Sequence, residues 1–425
     1  GSQCNKSLKK IFWTLTKKVN RELSGLAGIK LDMSEHLNYE LANDTWGDEE
    51  REAIKDVIDS GQFTMGSKVL EFESYFAEYF GRKHAVMVNS GSSANLIGVA
   101  SLFFRSDKPL KRGDEVIVPA ISWSTTYSPL QQYGLKVKFV DVELESLNMD
   151  VRQLDQALSN KTRMIIGVNI LGNPAKLDVI KEFANKNELI FFEDNCESMD
   201  AELNGVKTGS YGHIGTFSTF FSHHISTVEG GIFCTDCDEL NTIARSIRAH
   251  GWTRDLPENN PLVLPKKDSF NEEYRFIFPG YNVRPQELNA AIGIVQLRKL
   301  PDMTRVRREN HQYFQDIFSN SDHFIIQKEN GISSSFSFSM IISPSSSIDR
   351  NKLFKVFNEE GIKFRMITGG CFPRHDAIRY FDYEIVGKLE NSNLAHDRGF
   401  FVGNQPFDIR DKIDRLRSVI NKLVV

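Results

Sequence analysis

Three short segments of the chain carry side chains that could do chemistry together. The run from Asn89 to Asn95 places small residues between an apolar strand and a helix, where free N–H groups attract an anion. The run from Phe191 to Glu197 is an apolar strand that ends in carboxylates. The run from Phe217 to Gly231 contains two adjacent histidines, His223 and His224. Taken singly, these segments also fit an ordinary turn, a solvated strand end and a pair of core histidines.

The acidic strand end favours an organic cofactor over a metal. Ligands of open parallel sheets bind beyond the carboxyl ends of the strands, where a carboxylate can keep a pyridine nitrogen protonated. Neighbouring histidines seldom both reach one ion, and neither an HxxxH spacing nor a carboxylate partner accompanies His223 and His224. We therefore expect no metal ligands here.

The composition excludes several classes of protein. Lys and Arg number 52 against 56 Asp and Glu, so a nucleic-acid binder with a basic stripe is not expected. No stretch approaches the ~20 apolar residues of a membrane span. The cysteines are too sparse for a disulfide framework, which favours a reducing, cytoplasmic location. They are Cys4, Cys196, Cys234, Cys237 and Cys371.

Short β-rich runs alternate with helical stretches from His84 to Cys234. This alternation predicts an α/β protein with a mostly parallel sheet covered by helices. We assign residues 36–300 to this large domain and residues 301–425 to a small C-terminal α+β domain. A helix is expected after the N-cap pair Asn43-Asp44, and a long helix is expected to begin after Pro301.

Residues 1–35 form an N-terminal extension in this scheme. Apolar residues recur at helical spacing among lysines and arginines from Leu8 to Leu26, which predicts an amphipathic helix. Docking on the body of the protein or on a partner is favoured over contact with a membrane.

Further motifs accompany the three segments in a fixed order. They are residues 119–126 around Trp123, residues 171–174, residues 248–252 and residues 280–288. With them, the chain from about Leu41 to its end resembles the DegT/DnrJ/EryC1 family of sugar-modifying pyridoxal-phosphate proteins. The resemblance implies the type I, aspartate-aminotransferase fold and a homodimer with shared active sites.

The resemblance also implies roles for particular residues around pyridoxal 5′-phosphate or its aminated form, pyridoxamine 5′-phosphate. Trp123 would stack on the pyridine ring, whereas Asp194 would pair with the ring nitrogen. Glu197 stands near the ring hydroxyl, where aminotransferases of the family usually carry Gln. The residues implied to hold the phosphate are Gly91, Ser92, Ser218 and, from the neighbouring subunit, Asn282.

One position departs from the family's aminotransferase pattern. Counting back from Glu229-Gly230-Gly231 places the family's Schiff-base lysine at His223, and no lysine lies between Lys207 and Lys266. A histidine cannot form an imine with the cofactor, but it can move protons, since its ordinary pKa of about 6.5 is close to working pH.

Within the family, that histidine is implied to mark sugar 3-dehydratases. The aminated cofactor condenses with the ketone of a 4-keto-6-deoxy sugar nucleotide, His223 acts as the base, and the C3 hydroxyl is expelled instead of an amine being retained. Residues 222–227 resemble the type that acts on GDP-linked sugars and regenerates its cofactor from glutamate. Cys234 and Cys237 form the one close cysteine pair, too few for the iron–sulfur cluster of the type acting on CDP-linked sugars.

Three alternatives remain open from the sequence. They are a nucleotide-sugar 4-aminotransferase that uses a remote lysine, a CDP-sugar 3-dehydratase, and a non-catalytic protein that binds sugar nucleotides. Residues that could grip the diphosphate or the glutamate carboxylate are Arg248, His250, Arg254, Arg284 and Arg365, since a planar guanidinium matches such oxygens.

Overall fold

The computed structural model describes residues 38–257, 260–264 and 268–424. The expected N-terminal helix from Leu8 to Leu26 lies outside the described residues, as does Cys4. Within the described ranges, no helix is both long and apolar enough to cross a membrane.

A sheet of eight strands forms the centre of the fold, in the order β1-β9-β8-β5-β4-β2-β3-β13. Its strands are β1 (His84–Val88), β2 (Glu115–Pro119), β3 (Lys136–Val140), β4 (Thr162–Val168), β5 (Ile190–Asp194), β8 (Ile214–Ser218), β9 (Gly231–Thr235) and β13 (Tyr383–Ile385). In the sheet, the six neighbouring strands β8-β5-β4-β2-β3-β13 are parallel to one another. Strand β9 pairs antiparallel with both β8 and β1. Every residue of β2, β5 and β8 is buried, as expected for strands covered on both faces. The predicted α/β class with a mostly parallel sheet is confirmed.

Helices cover this sheet and connect its strands. Those before residue 280 are Asp48–Ser60, Ser67–Tyr79, Gly91–Phe104, Ser124–Gln132, Leu154–Ala157, Leu177–Lys186, Asp238–Arg248 and Ser269–Glu273. The first of them begins later than the expected Asn43-Asp44 cap. Gly47 is its N-cap, because the Glu50 carboxylate turns back to accept a hydrogen bond of 2.7 Å from Gly47 N.

A helix of 32 residues, Glu287–Phe318, contains Pro301 in its interior. The expectation that this helix starts after Pro301 is therefore wrong. Proline removes one backbone hydrogen bond and usually kinks or ends a helix. Here Leu297, Leu300 and Met303 are buried on both sides of the proline, and this packing outweighs the local preference.

The C-terminal part of the chain builds a second, antiparallel sheet in the order β10-β11-β14-β12. Its strands are β10 (Phe324–Ile326), β11 (Ser337–Ile342), β12 (Phe364–Arg365) and β14 (Gly399–Gly403), flanked by helices Arg350–Glu359, Glu390–Arg398 and Arg410–Val424. A further hairpin of β6 (Glu202–Leu203) and β7 (Val206–Lys207) lies earlier in the chain. Phe314, Phe338 and Phe400 belong to one apolar cluster on the second sheet.

Two C-terminal elements also reach the large sheet. Strand β13 pairs in parallel with β3, and the Asp141 carboxylate after β3 accepts hydrogen bonds from the backbone of Asn391 and Ser392. Alternating apolar residues did not mark β13, because its three positions are all exposed at a sheet edge. Residues beyond 300 therefore contribute strands to both sheets.

Arg248 lies in the interior of the large domain, where its guanidinium bonds the Glu73 carboxylate at 2.6 Å and Met87 O at 2.7 Å. Arg245 pairs with the other Glu73 oxygen at 2.8 Å. Both Glu73 and Arg248 are only 2% exposed in their side chains. A charge this deeply buried is tolerated only while its partner remains.

Replacing Glu73 with Gln is expected to lower the free energy of unfolding by about 3–5 kcal/mol, because it leaves the Arg248 charge buried and uncompensated. Urea denaturation followed by circular dichroism measures this. Glu71→Gln on the same helix is the matched control, since Glu71 pairs with Lys68 on the surface; its effect should stay within about 1 kcal/mol. Equal stability of Glu73→Gln and wild type would contradict this account.

Candidate active site

The carboxyl ends of β5 and β8 meet the N-terminus of the helix Gly91–Phe104 at one edge of the large sheet. Strands β5 and β8 are parallel neighbours that end at Asp194 and Ser218. A side chain at position 91 would place its Cβ 2.6 Å from Ser218 Cβ and 3.0 Å from Cys196 Sγ. Glycine is therefore required for this close approach of helix and strand.

Three residues expected to hold a phosphate occupy this junction. Gly91 and Ser218 are adjacent, and the Ser92 hydroxyl lies 2.8 Å from Thr125 Oγ1. The first N–H groups of a helix have no intrahelical acceptor, and Ser90 caps only that of Ser93, at 3.0 Å. The junction thus combines small residues, hydroxyls and the positive end of a helix dipole.

Asp194 is buried at the end of β5 and is held by neutral donors. Its Oδ2 accepts from Asn95 Nδ2 at 2.9 Å and from Thr126 Oγ1 at 2.8 Å. Its Oδ1 accepts from Cys196 N at 3.2 Å, and the Cys196 thiol also bonds the carboxylate. Thr216 Oγ1 donates to Asn95 Oδ1 at 2.6 Å and thereby orients the amide. Because Oδ2 is saturated, Oδ1 is the oxygen available to a cationic partner.

Glu197 lies three residues further on and has an unusual acidity. Burial raises its pKa to about 7, and the nearby Asp194 charge acts in the same direction. Hydrogen bonds from Leu171 N at 3.1 Å and Thr368 Oγ1 at 3.0 Å to Oε2 oppose this increase. Part of the side chain still reaches solvent. The carboxyl therefore exchanges a proton near neutral pH.

The two histidines have different environments. The His224 side chain is 1% exposed, donates from Nε2 to Ser334 O at 3.2 Å, and has its pKa lowered by burial, as expected of a core histidine. His223 is half-buried, and its ring centroid lies 5.2 Å from that of Phe336. Its Nδ1 is buried without a hydrogen-bond partner among the described residues.

His223 is neutral in this environment. Burial lowers its pKa to about 3, and the charge of Arg307 adds to the effect. Arg307 itself is buried and donates to the main-chain oxygens of Phe336 at 3.3 Å and Asn404 at 2.6 Å. A neutral imidazole has a free ring nitrogen, so His223 can accept a proton.

Trp123 is 58% exposed at the N-cap of the helix Ser124–Gln132. Gly369 lies beside it, since a Cβ built there would be 3.9 Å from Trp123 Cε3. A loop of the C-terminal segment thus lies against the residue expected to stack on the cofactor ring.

The remaining predicted residues lie in different places. Asn282 is exposed, and its Oδ1 accepts from Arg284 Nε at 3.1 Å. His250 has a φ of 65°, and its backbone N–H donates to Tyr281 O at 2.6 Å. Arg254 lies over the Trp252 ring at 4.8 Å, and Arg365 is exposed on β12. Arg248 is not brought to the site, because Glu73 and Met87 O hold its guanidinium in the core.

Sequence reasoning missed three residues that contact the predicted ones. Asn95 and Thr126 hold Asp194, and Thr368 holds Glu197. A signal for Asn95 exists, because it is a polar residue on the buried face of a mostly apolar helix. Nothing in the local sequence connects Thr368 to Glu197, which precedes it by 171 residues.

The fold and this constellation define a pyridoxal-phosphate-type site on an aminotransferase fold. Residues 44–420 match the model of the DegT/DnrJ/EryC1/StrS aminotransferase family. The chain belongs to this family, as the motifs predicted.

Known members similar to this chain include GDP-4-keto-6-deoxy-D-mannose 3-dehydratase of Yersinia pseudotuberculosis, 48% identical over 91% of this chain and 99% of that protein. A crystal structure of GDP-4-keto-6-deoxymannose-3-dehydratase with a trapped PLP-glutamate geminal diamine superposes with a TM-score of 0.88 at 48% identity, over 90% of this chain and 100% of that one. A mutant of that type of enzyme with bound GDP-perosamine gives the same TM-score, 0.88, the same 48% identity and the same coverage of 90% and 100%.

The raised pKa of Glu197 predicts a pH-dependent stability. The folded protein binds the Glu197 proton more tightly than the unfolded chain, whose ordinary value is 4.5, so this contribution is complete below 4.5 and is lost as pH rises through about 7. Relative to Glu197→Gln, the cofactor-free wild type should lose thermal stability between pH 5 and pH 8. Melting temperatures of both proteins across this range measure the effect.

Glu182→Gln serves as the control for this comparison, because Glu182 is exposed on the helix Leu177–Lys186. A difference between wild type and Glu197→Gln that stays constant with pH would show that the Glu197 carboxyl is not buried in solution.

Proposed function

We propose that this protein is a pyridoxal-phosphate-dependent 3-dehydratase, which removes the C3 hydroxyl of a GDP-4-keto-6-deoxy sugar in deoxysugar biosynthesis. The observation that carries the proposal is a neutral histidine, His223, in the segment where the family resemblance places the Schiff-base lysine. The 48% identity to 3-dehydratases over nine-tenths of the chain supports the same activity.

The residues present fit pyridoxal phosphate and its aminated form. Asp194 Oδ1 accepts one hydrogen bond, from Cys196 N, and can accept a second from the ring nitrogen. The Gly91–Ser218 junction suits the phosphate, and the buried Nδ1 of His223 lacks a partner in the described chain. Ser92, Trp123 and Glu197 complete the proposed contacts. When bound, the aminated cofactor supplies the amine that condenses with the sugar ketone and a protonated ring that accepts electrons.

His223 is the proposed catalytic base. Burial keeps the imidazole neutral before reaction, so a ring nitrogen is available to accept a proton from the cofactor's C4′ carbon. The resulting imidazolium can then deliver that proton to the departing C3 hydroxyl, which leaves as water. Imidazole cannot bond covalently to the cofactor as lysine does. The nitrogen that the sugar received from the cofactor amine is therefore lost as ammonia on hydrolysis.

Asp194 and its neutral donors have a positioning task in this scheme. A buried carboxylate stabilises a cation placed against it, so it favours the protonated pyridine ring. Asn95 and Thr126 hold Oδ2 and direct Oδ1 to that ring nitrogen.

Glutamate as amino donor and a homodimer complete the proposal. Glutamate would regenerate the aminated cofactor, as the PLP-glutamate adduct of the similar dehydratase structure suggests. Asn282 is exposed, so its side chain is accessible to the phosphate of a neighbouring copy. His250, Arg254, Arg284 and Arg365 remain proposed contacts for the diphosphate or the glutamate carboxylate.

The purified protein is expected to convert GDP-4-keto-6-deoxymannose, with glutamate and pyridoxal phosphate, to a 3-deoxy-4-keto product with release of ammonia. Mass spectrometry of the sugar nucleotide and a coupled ammonia assay measure both products. A product that retains nitrogen would identify a 4-aminotransferase, whereas turnover restricted to the CDP-linked sugar would overturn the nucleotide assignment. Bound cofactor without turnover of either substrate would indicate a non-catalytic protein.

Replacing His223 with Asn should lower kcat by about 10²–10⁴-fold, because the base is lost. His323→Asn is the matched control, since His323 lies in the second-sheet region, where its Nδ1 contacts Ser346 at 3.2 Å. A His223→Asn protein that retains wild-type kcat would exclude His223 as the base.

A further inference from the structure

Glu197 is held by donors from two residues in the left-handed region of backbone conformation. Leu171 has a φ of 54° and Thr368 a φ of 40°. Leu171 N and Thr368 Oγ1 both donate to Oε2 of Glu197, at 3.1 and 3.0 Å. Such conformations are strained in a residue other than glycine and persist where the surrounding structure enforces them. Both donors are therefore held in place by their surroundings.

Thr368 belongs to a loop, residues 367–371, that lies over the end of β2. Phe372 N donates to Ala120 O at 2.8 Å, next to the bridge between Cys371 and Ile121. This pairing fastens the loop to the strand that leads to Trp123.

Two histidines fasten the same loop from its other side. His375 Nε2 donates to Gly369 O at 2.6 Å, and His396 Nδ1 accepts from Cys371 N at 3.2 Å. Gly370 has a φ of 75°, and a Cβ there would lie 2.5 Å from His396 Nδ1, so only glycine fits. The loop has little freedom to move Thr368 away from Glu197.

The two donors bond only one of the two carboxylate oxygens of Glu197. Oε2 accepts both hydrogen bonds, whereas Oε1 has no partner among the described residues. When the carboxyl is protonated, the proton therefore belongs on Oε1, since a protonated Oε2 would lose its acceptor capacity for two donors.

We infer that Thr368 is a positioning residue for the dehydratase: its hydroxyl occupies Glu197 Oε2, so that Oε1, with its exchangeable proton, meets the cofactor's ring hydroxyl. This inference rests on the proposed function. It assigns to the C-terminal loop a part in setting the protonation of the cofactor, although the loop provides neither the phosphate site nor the base.

The charged groups around Glu197 determine how removal of the Thr368 hydroxyl should change the Glu197 pKa. The Asp194 carboxylate raises the Glu197 pKa, and Cys196 is the other titratable group whose charge couples to it. Burial keeps the Cys196 pKa well above its ordinary value, so the thiol stays neutral near pH 7. Loss of the Thr368 bond removes one of the two interactions that favour the Glu197 carboxylate and raises its pKa further.

The test is a pH titration of the absorbance of bound pyridoxal phosphate in wild type, Thr368→Val, Thr368→Ser and Thr242→Val. Thr368→Val should move the midpoint near pH 7 upward by about one pH unit, as expected for the loss of one hydrogen bond to a charged group. Thr368→Ser retains the hydroxyl and should titrate as wild type. Thr242→Val removes a buried hydroxyl that bonds Asp238 O, at 2.8 Å, and is the matched control.

Glu197→Gln identifies the titrating group. It should abolish the transition assigned to Glu197, and Thr368→Val should cause no further shift in that background. An unshifted midpoint in Thr368→Val, or an equal shift in Thr368→Ser, would overturn the inference. Thr368→Ala replaces Thr368→Val if the melting temperature shows that valine prevents folding, since alanine also lacks the hydroxyl.

An activity assay distinguishes failure of the proposed function from failure of the role inferred for Thr368. In that case the wild-type protein yields no ammonia and no 3-deoxy product, whatever the titration shows. A wild-type enzyme that is active and a Thr368→Val midpoint that does not move would contradict only the role of Thr368.

Discussion

The arrangement of the site depends on a carboxylate, Asp194, that is buried at the end of β5 and held by neutral donors alone. Burial of a charge is costly unless hydrogen bonds and a counter-charge compensate for it. Asn95 and Thr126 provide the hydrogen bonds and come from two different helices. In the proposed complex, a protonated ring nitrogen would provide the missing positive charge. Strand and helices must therefore meet at one point, and the glycine at position 91 permits that approach.

Burial also divides the acid–base tasks between two other groups. It lowers the pKa of His223 to about 3 and raises that of Glu197 to about 7, since both shifts favour the neutral form. The histidine is consequently neutral, and the carboxyl is about half protonated near neutral pH. One physical cause thus shifts the pKa values of the proposed base and of the proposed proton donor.

The C-terminal segment contributes more than a second sheet. Strand β13 extends the large sheet beside β3, and the loop that carries Thr368 lies against Trp123 and contacts Glu197. A helix that continues through Pro301 connects the two halves without a flexible linker. These links place C-terminal residues against the candidate cofactor site at the edge of the large sheet.

The sequence by itself determined the α/β class, the family and the histidine at position 223, because periodic apolar runs and ordered motifs are local properties of the chain. Through the family resemblance it also marked Gly91, Ser218, Asp194 and Glu197 as candidate site residues. Only the tertiary structure decided that Arg248 is a core ion pair, that His224 faces Ser334, and that Thr368 reaches Glu197. These contacts join residues far apart in the chain, and burial, which also sets the pKa values, exists only once the elements have packed together.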